Sequence, residues 1–283
     1  MAALLLAVVI GGCASLTSWP ETERTDTAKP LANSPLRKVR RSIELDAQFV
    51  KIRFNPSEPD QLQSMWQWVD ETVLSPEIRQ SLYANGLRIG KAVQPDRLKS
   101  RLDDLRSQEA RDELDTFLTS AGVASHQSEG RVAIPMRLGR RHELPVRDPM
   151  VGAHVIIVDD EPQPVGRTLL NPHFLFAITP QPSRSPAEVR LSIRPEIPYG
   201  DMQMDGLQAS AAFRIDVRRQ AWVLDKLGFE LVGGEGDVFV IAETATRHGL
   251  GEMMLGGKDV NQLKEQTVIL LRVANIPTPA EEI

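Results

Sequence analysis

One cysteine occurs among the 283 residues, at position 13, directly after Gly11-Gly12. A thiol serves as nucleophile, as metal ligand or as a point of covalent attachment. A lone cysteine excludes an intrachain disulfide and a multi-cysteine metal centre. Its surroundings argue for attachment. Residues 2–10 are an unbroken apolar run of nine, about half of the 18–20 that a membrane-spanning helix needs. The run matches the apolar core of a secretory signal, roughly 7–15 residues. Small residues follow at once, as a cleavage site requires.

Val9-Ile10-Gly11-Gly12-Cys13 resembles the lipobox of bacterial lipoproteins, with an aliphatic residue, two small residues and then cysteine. The resemblance implies a diacylglycerol on the Cys13 thiol and recognition of Ile10, Gly11 and Gly12 by the signal peptidase. Cleavage before Cys13 would be followed by acylation of the new amine with a chain such as palmitate. Residues 1–12 are then a signal peptide. Several acyl chains at one residue hold firmly, because each buried CH₂ contributes about 0.8 kcal/mol. The second mature residue is Ala14 and not aspartate, which favours the outer membrane, with the body facing the periplasm. No Lys or Arg precedes the apolar run. Either the α-amino group is its only charge, or translation starts upstream of Met1.

The remaining chemistry-bearing residues form no motif. There is no GxSxG, HExxH, Walker loop or CxxC. The five histidines, His126, His142, His154, His173 and His248, lack ligand spacing. Asp159-Asp160-Glu161 places three carboxylates together but lacks the staggered oxygens of a calcium loop, so it reads as a solvated hairpin turn. Asp159 or Asp160 with His154 is the one hydrolytic pairing that proximity suggests. Gly233-Gly234-Glu235-Gly236 has no helix after it to aim amides at a phosphate, and it too reads as a hairpin turn. Arg140-Arg141-His142-Glu143 is a basic patch open to an acidic partner or to a charged strand end. No catalytic residue, metal ligand or cofactor is assigned, and the balance is against an enzyme.

Composition sets the frame for these residues. Hydrophobic content of 41% and charge of 25% suit a globular body. A formal charge of −5, with 33 basic and 38 acidic residues intermixed, gives no field for nucleic acid. Residues 15–34 are polar and proline-punctuated, so residues 13–41 read as the lipidated cysteine and a flexible tether. The tether ends in Leu36-Arg37-Lys38-Val39-Arg40-Arg41, which suits anionic head groups or simple solvation.

The folded part is expected to be α+β. A small β-α-α-β-α unit is assigned to residues 42–124 and a β-rich sandwich or open barrel to residues 130–283. In residues 42–55, Ile43, Leu45, Ala47 and Phe49 alternate, then Val50, Ile52 and Phe54 continue on the other phase. That change signals a bulge or a strand buried on both faces. Leu62, Met65, Trp66, Val69 and Val73 predict a helix, Ser75-Pro76-Glu77 opens a second, and Asn85-Gly86 closes it. Residues 87–93 alternate as a strand, and Pro95 opens a longer helical region ended by Gly122. Beyond residue 130 the predicted strands are 131–138, 153–158, 166–179, 187–197, 212–217, 229–232, 237–242 and 267–273. Residues 219–227 fit helix or strand.

Val189-Arg190-Leu191-Ser192-Ile193-Arg194-Pro195-Glu196-Ile197 resembles the secretin strand that ends in a Pro-Glu-aliphatic triplet. Residues 236–241, Gly256-Gly257 and residues 266–273 are similar to that family's next strand, glycine pair and closing strand. Secretins carry a proline-rich loop where this chain has only residues 258–265. The resemblance implies a shared β-fold or a link to an export apparatus. The expected role is therefore a lipid-anchored envelope component that binds envelope proteins or copies of itself. A secretin-like or secretion-associated oligomer component and an envelope hydrolase are the alternatives. Metabolic labelling with a radioactive fatty acid is expected to tag the protein and to fail on Cys13→Ser; equal labelling of both would remove the anchor.

Overall fold

Strand pairing draws residues from both ends of the chain into one sheet. The computed structural model describes residues 42–53, 60–106, 131–160, 163–209, 212–258 and 264–277. The segments expected to be signal peptide and tether, Cys13 with Ile10, Gly11 and Gly12, and His126 lie outside the described residues. The first described segment runs β1 (Ser42–Arg53), α1 (Asp60–Gln63), β2 (Val69–Asp70), α2 (Pro76–Ala84), β3 (Leu87–Ala92) and α3 (Pro95–Leu105). Then come β4 (Arg131–Arg137), β5 (His142–Pro145), β6 (Ala153–Asp160), β7 (Gln163–Leu170) and β8 (Leu175–Pro182). Last are β9 (Glu188–Ala209), β10 (Ala212–Val223), β11 (Phe229–Gly234), β12 (Val238–Glu243), α4 (Gly249–Leu255), β13 (Gly256–Lys258) and β14 (Lys264–Asn275).

The larger sheet has seven strands in the order β2-β3-β12-β14-β1-β4, with β13 added to β14. A five-stranded sheet runs β10-β9-β8-β5 with β11 on β9, and β6 and β7 form a separate two-stranded ribbon. The protein is thus β-rich and built from open sheets. The expected boundary between residues 42–124 and 130–283 does not separate sheets, because β1 lies between β14 and β4 and β3 pairs with β12. All described residues belong to one unit, Val39–Ile283.

The phase change in β1 is explained by this central place. Ile43, Leu45, Ala47 and Phe49 enter a core shared with Phe176, Ile193 and Leu231 of the second sheet. Val50 and Ile52 point the other way, into a core closed by Leu62, Met65, Trp66, Leu98 and Leu102. Alternation by two therefore feeds two cores from one strand. A register shift between Glu44 and Leu45 adds an irregularity at its start.

Several expectations need correction. The stripe from Leu62 to Val73 is not one helix. It breaks into α1, a 3-10 turn at Ser64–Trp68, β2 and a second 3-10 turn at Glu71–Val73. Val69 and Val73 are β-branched and favour extension, and Val69 pairs with Ala92 in β3. Residues 166–179 are two strands and not one, because Asn171 adopts φ 47° and Pro172 follows it. Residues 180–182 lie outside the predicted strands, yet β8 continues to Pro182, paired with Val189 of β9. Its other neighbour, β5, stops at the level of Leu175–Ile178, so the missing proline N–H groups face no partner strand.

Gly233-Gly234-Glu235-Gly236 is likewise not a hairpin turn. β11 pairs with β9 and β12 with β3 and β14, so the glycines carry the chain from one sheet to the other. A Cβ on Gly233 would lie 2.7 Å from Phe239 Cζ, and Gly236 has φ 91°, which favours glycine. Asp237 fixes the crossing: its carboxylate accepts from Gly234 N–H at 2.8 Å and from Lys91 Nζ at 2.7 Å. A fragment of residues 130–283 lacks β1 and β3, the partners of β4, β12 and β14. Such a fragment is expected to remain unfolded by circular dichroism and amide dispersion; a cooperative thermal transition in it would contradict the shared sheet.

Candidate functional site

The β6–β7 ribbon belongs to neither large sheet, and its position depends on a buried asparagine. α2 starts on Ser75, whose hydroxyl accepts from Ile78 N–H at 3.4 Å, with Pro76 in the first turn. It ends on Asn85, fully buried, and Gly86, at φ 78°. Asn85 Nδ2 donates to Ser81 O and to Asp159 O, both at 2.9 Å, and Asn85 Oδ1 accepts from Asp159 N–H at 2.8 Å. Its backbone carbonyl accepts from Gly251 N–H at 2.7 Å, and that of Gly86 from Thr244 N–H at 2.9 Å. One residue pair thereby joins α2, β6, α4 and the end of β12. A Cβ on Gly86 would lie 2.1 Å from His248 O, and one on Gly251 2.0 Å from Gly86 O, so both positions need glycine's missing side chain.

The ribbon held this way has two unlike faces. Ile156, Val158 and Leu169 are buried in the shared core. On the opposite face Val155 is 64% and Ile157 55% exposed, Leu170 is 48% exposed, and Val151 just before the ribbon is 89% exposed. The register puts Thr168 and Gly166 opposite Val155 and Ile157, so the outer face carries no charge between Ala153 and Ile157. Arg167 on the inner face lies 4.5 Å over the Trp222 ring, which ties the ribbon to β10. A fixed, branched aliphatic surface is suited to contact with another apolar surface. It offers no group for bond-making chemistry.

The sequence-predicted residues do not assemble into a catalytic set. His154 and Asp159 occupy opposite faces of β6. His154 and Asp160 are six residues apart along β6, about 20 Å of strand. His154 Nε2 contacts Val151 O at 2.9 Å, and the Asp159 backbone is used by Asn85. His142 Nε2 accepts from Arg137 N–H at 3.2 Å, and burial lowers its pKa. His173 contacts Arg219, and burial, with that cation beside it, holds its pKa down. His248 meets Thr246 O at 2.7 Å and Tyr83 O at 3.1 Å. Among the described residues no group of His, Cys, Asp or Glu is placed to hold a metal. Glu161 and His126 lie outside them.

The basic patch and the Pro-Glu-aliphatic strand meet in one structural knot. Glu196 on β9 is 3% exposed. It is paired with Arg141, and with Arg194 Nε at 2.8 Å. Arg141 also donates to Glu143 at 2.6 Å, and Arg194 to Asp225 at 2.8 Å. Burial works against the Glu196 charge, but the two guanidinium groups prevail and hold its pKa below the usual carboxylate range. Arg141 is therefore committed within the fold. A cleft of about 380 Å³ opens on the other face of the seven-stranded sheet, lined in part by Asp46, Gln48, Asp96, Lys99, Arg131 and Arg272. Its lining includes no imidazole, thiol or hydroxyl.

Sequence reasoning missed the two features that organise this region. Asn85 is legible only as a helix end, and residues 153–158 are legible as a strand without any sign of which side chains meet water. Replacing Asn85 by Ala leaves the Asp159 N–H and C=O unpaired at the junction and is expected to cost about 2–4 kcal/mol in urea unfolding. His154→Ala, exposed and locally bonded, is expected to stay within about 0.5 kcal/mol; equal losses for the two would deny the asparagine its role. Compared with known protein families, curated proteins and solved structures, the chain matches none.

Proposed function

We propose that this chain is a lipid-anchored protein of the bacterial cell envelope that works by binding envelope proteins or copies of itself, without catalysis of its own. The lipobox resemblance at Ile10–Cys13 supports the anchor. The observation that carries the binding role is the outer face of the β6–β7 ribbon. Val151, Val155, Ile157 and Leu170 are exposed there, on a ribbon held by the Asn85 side chain, which the backbones of α4 and of the residue after β12 brace. β-branched side chains are stiff, so ordering them against a partner costs little entropy, and each Å² of apolar surface covered contributes about 25 cal/mol. The scattered histidines and the structural commitment of Arg141 and Glu196 support a role outside catalysis.

A second reading, a secretin-like or secretion-associated oligomer component, is favoured by the β9–β10 hairpin. β8 and β11 cover β9 only as far as Glu196 and Ile193. From Ile197 to Ala209, β10 is the one strand paired with β9, with a register irregularity at Arg218/Gln220 inside that stretch. The strands that carry the secretin resemblance are β9, β12, β13 and β14. A long two-stranded arm is a usual way for copies of one chain to reach each other.

Crosslinking in intact cells and sedimentation in detergent test both. Discrete crosslinked bands that disappear in Val155→Lys/Ile157→Lys, with the thermal midpoint unchanged, are the expected outcome. A large closed oligomer that survives that substitution would favour the secretin-like reading. A monomer at every concentration and crosslinker dose would overturn both.

A further inference from the structure

The turn that carries α4 contains a carboxylate whose burial is only half compensated. Glu243, the last residue of β12, is 1% exposed. Its Oε1 accepts from Arg247 Nε at 2.9 Å, while Oε2 is buried with no hydrogen-bond partner. β3 presents Leu87 opposite it, so that neighbour brings no polar group. The other charged groups around the pair come from the turn and from α4. Glu252 lies 4.0 Å from Arg247 Nε, and His248 is engaged by the carbonyls of Thr246 and Tyr83. Arg147, from the segment after β5, donates to Met253 O at 2.6 Å, and Arg247 donates to Gly257 O at 3.2 Å.

Two guanidinium groups thus hold the last turn of α4 and the start of β13, where helix carbonyls welcome cations. Its first turn is held by Asn85, through Gly251 N–H. Between these anchors Gly249 takes φ 58°, a conformation confined largely to glycine. The segment from Thr244 to Leu255 is therefore tied at both ends and strained at none of its side-chain-bearing residues. The tie at its β12 end runs through Glu243.

We propose that residues 244–255 form a proton-sensitive latch under the β6–β7 ribbon, closed while Glu243 is protonated and opening locally as Glu243 ionises. Burial pushes the Glu243 pKa up to about 7, with Arg247 opposing it and Glu252 adding to it. Once the segment opens, water solvates the carboxyl and its pKa returns towards the ordinary 4.5. A group whose pKa is raised in the closed form stabilises that form fully below the solvated pKa and loses this contribution as pH rises through the raised one. Opening is therefore favoured on the alkaline side. Between pH 6 and pH 8 the open fraction rises about tenfold on this linkage. Opening releases the Gly251–Asn85 bond and with it one support of the junction that positions Asp159 and the ribbon. The latch stands on its own geometry and does not require the binding role given to the ribbon.

Amide hydrogen exchange on the full chain, expressed as protection factors so that intrinsic pH effects divide out, tests the latch. Protection at Thr244, Gly251 and Glu252 is expected to fall about tenfold from pH 6 to pH 8, while Ile269 and Leu271 in β14 hold theirs. Glu243→Gln is expected to abolish the fall. Constant protection in the unmodified protein, or the same fall in the variant, would overturn the proposal. Should the variant not fold, a carbon-13 titration of the Glu243 carboxyl in the unmodified protein decides it. A midpoint near 7 supports the latch, and one near the ordinary carboxylate value refutes it.

Discussion

The side-chain amide of Asn85 has to be satisfied where no water reaches it, and much of the molecule is arranged around that requirement. A buried amide without partners costs about 1–3 kcal/mol. Asn85 meets the demand with the backbone of Asp159, 74 residues away, and its own carbonyl takes Gly251 N–H. The segments involved must pass within van der Waals distance, which is why Gly86 and Gly251 have no room for a Cβ. The ribbon follows from this. β6 and β7 have no strand neighbours in either sheet, and a lone hairpin is marginal in water. What fixes it is the asparagine on its edge and three apolar residues on its inner face. The outer face is then free to be apolar, because its rigidity does not depend on being covered.

Two buried glutamates show how the same fold treats charge in opposite ways. Glu196 is met by Arg194, two residues earlier on its own strand, and by Arg141, just before β5, and each of those has a second carboxylate nearer the surface. The cluster is a small lattice in which every charge has a counterion, and the carboxyl stays ionised. Glu243 has one arginine, and that arginine divides its donors between the carboxylate and the carbonyl of Gly257. One carboxylate oxygen is left over. The desolvation of a carboxylate is large, and a single pair rarely repays it. The difference between the two sites is a count of donors, and it sets one group as a permanent ion and the other as a titrating one.

Local structure was legible in the sequence wherever the cause is local. The Ser75-Pro76 start of α2, its Asn85-Gly86 end and the two-faced burial of β1 follow from side-chain chemistry within a few residues. Partnership was not legible. Alternation with period two tells which residues share a face and says nothing about which strand lies beside them. β11 and β12 are close in sequence and alternate well, so they read as a hairpin, although they belong to different sheets. A composition change near residues 124–130 likewise cannot reveal that β1 pairs with β14. The apolar run in β6 hid an exposed face. Val155 and Ile157 are the same residue types as the buried Val158 and Ile156, and only the position of the junction decides which pair meets water.

A strand exposed on one side normally alternates apolar with polar residues, and β7 does place Thr168 and Gly166 outward. β6 does not, because Val155 and Ile157 face out where threonine, lysine or glutamate would keep the ribbon soluble and alone. The inner face would be unaffected by such residues, so folding places no demand for aliphatics on the outside. Stability therefore does not account for them, and an aliphatic pair on the rigid ribbon is explained when something apolar covers it. The charge balance of the surrounding surface points the same way. Arg167 stacks on Trp222 and Arg147 bonds the end of α4, so neither places a cation on the outer face between Ala153 and Ile157, where the exposed Asp159 is the next residue. In the proposed binding role, recognition by the aliphatic pair rests on shape and burial, which suits a protein surface better than a charged small ligand.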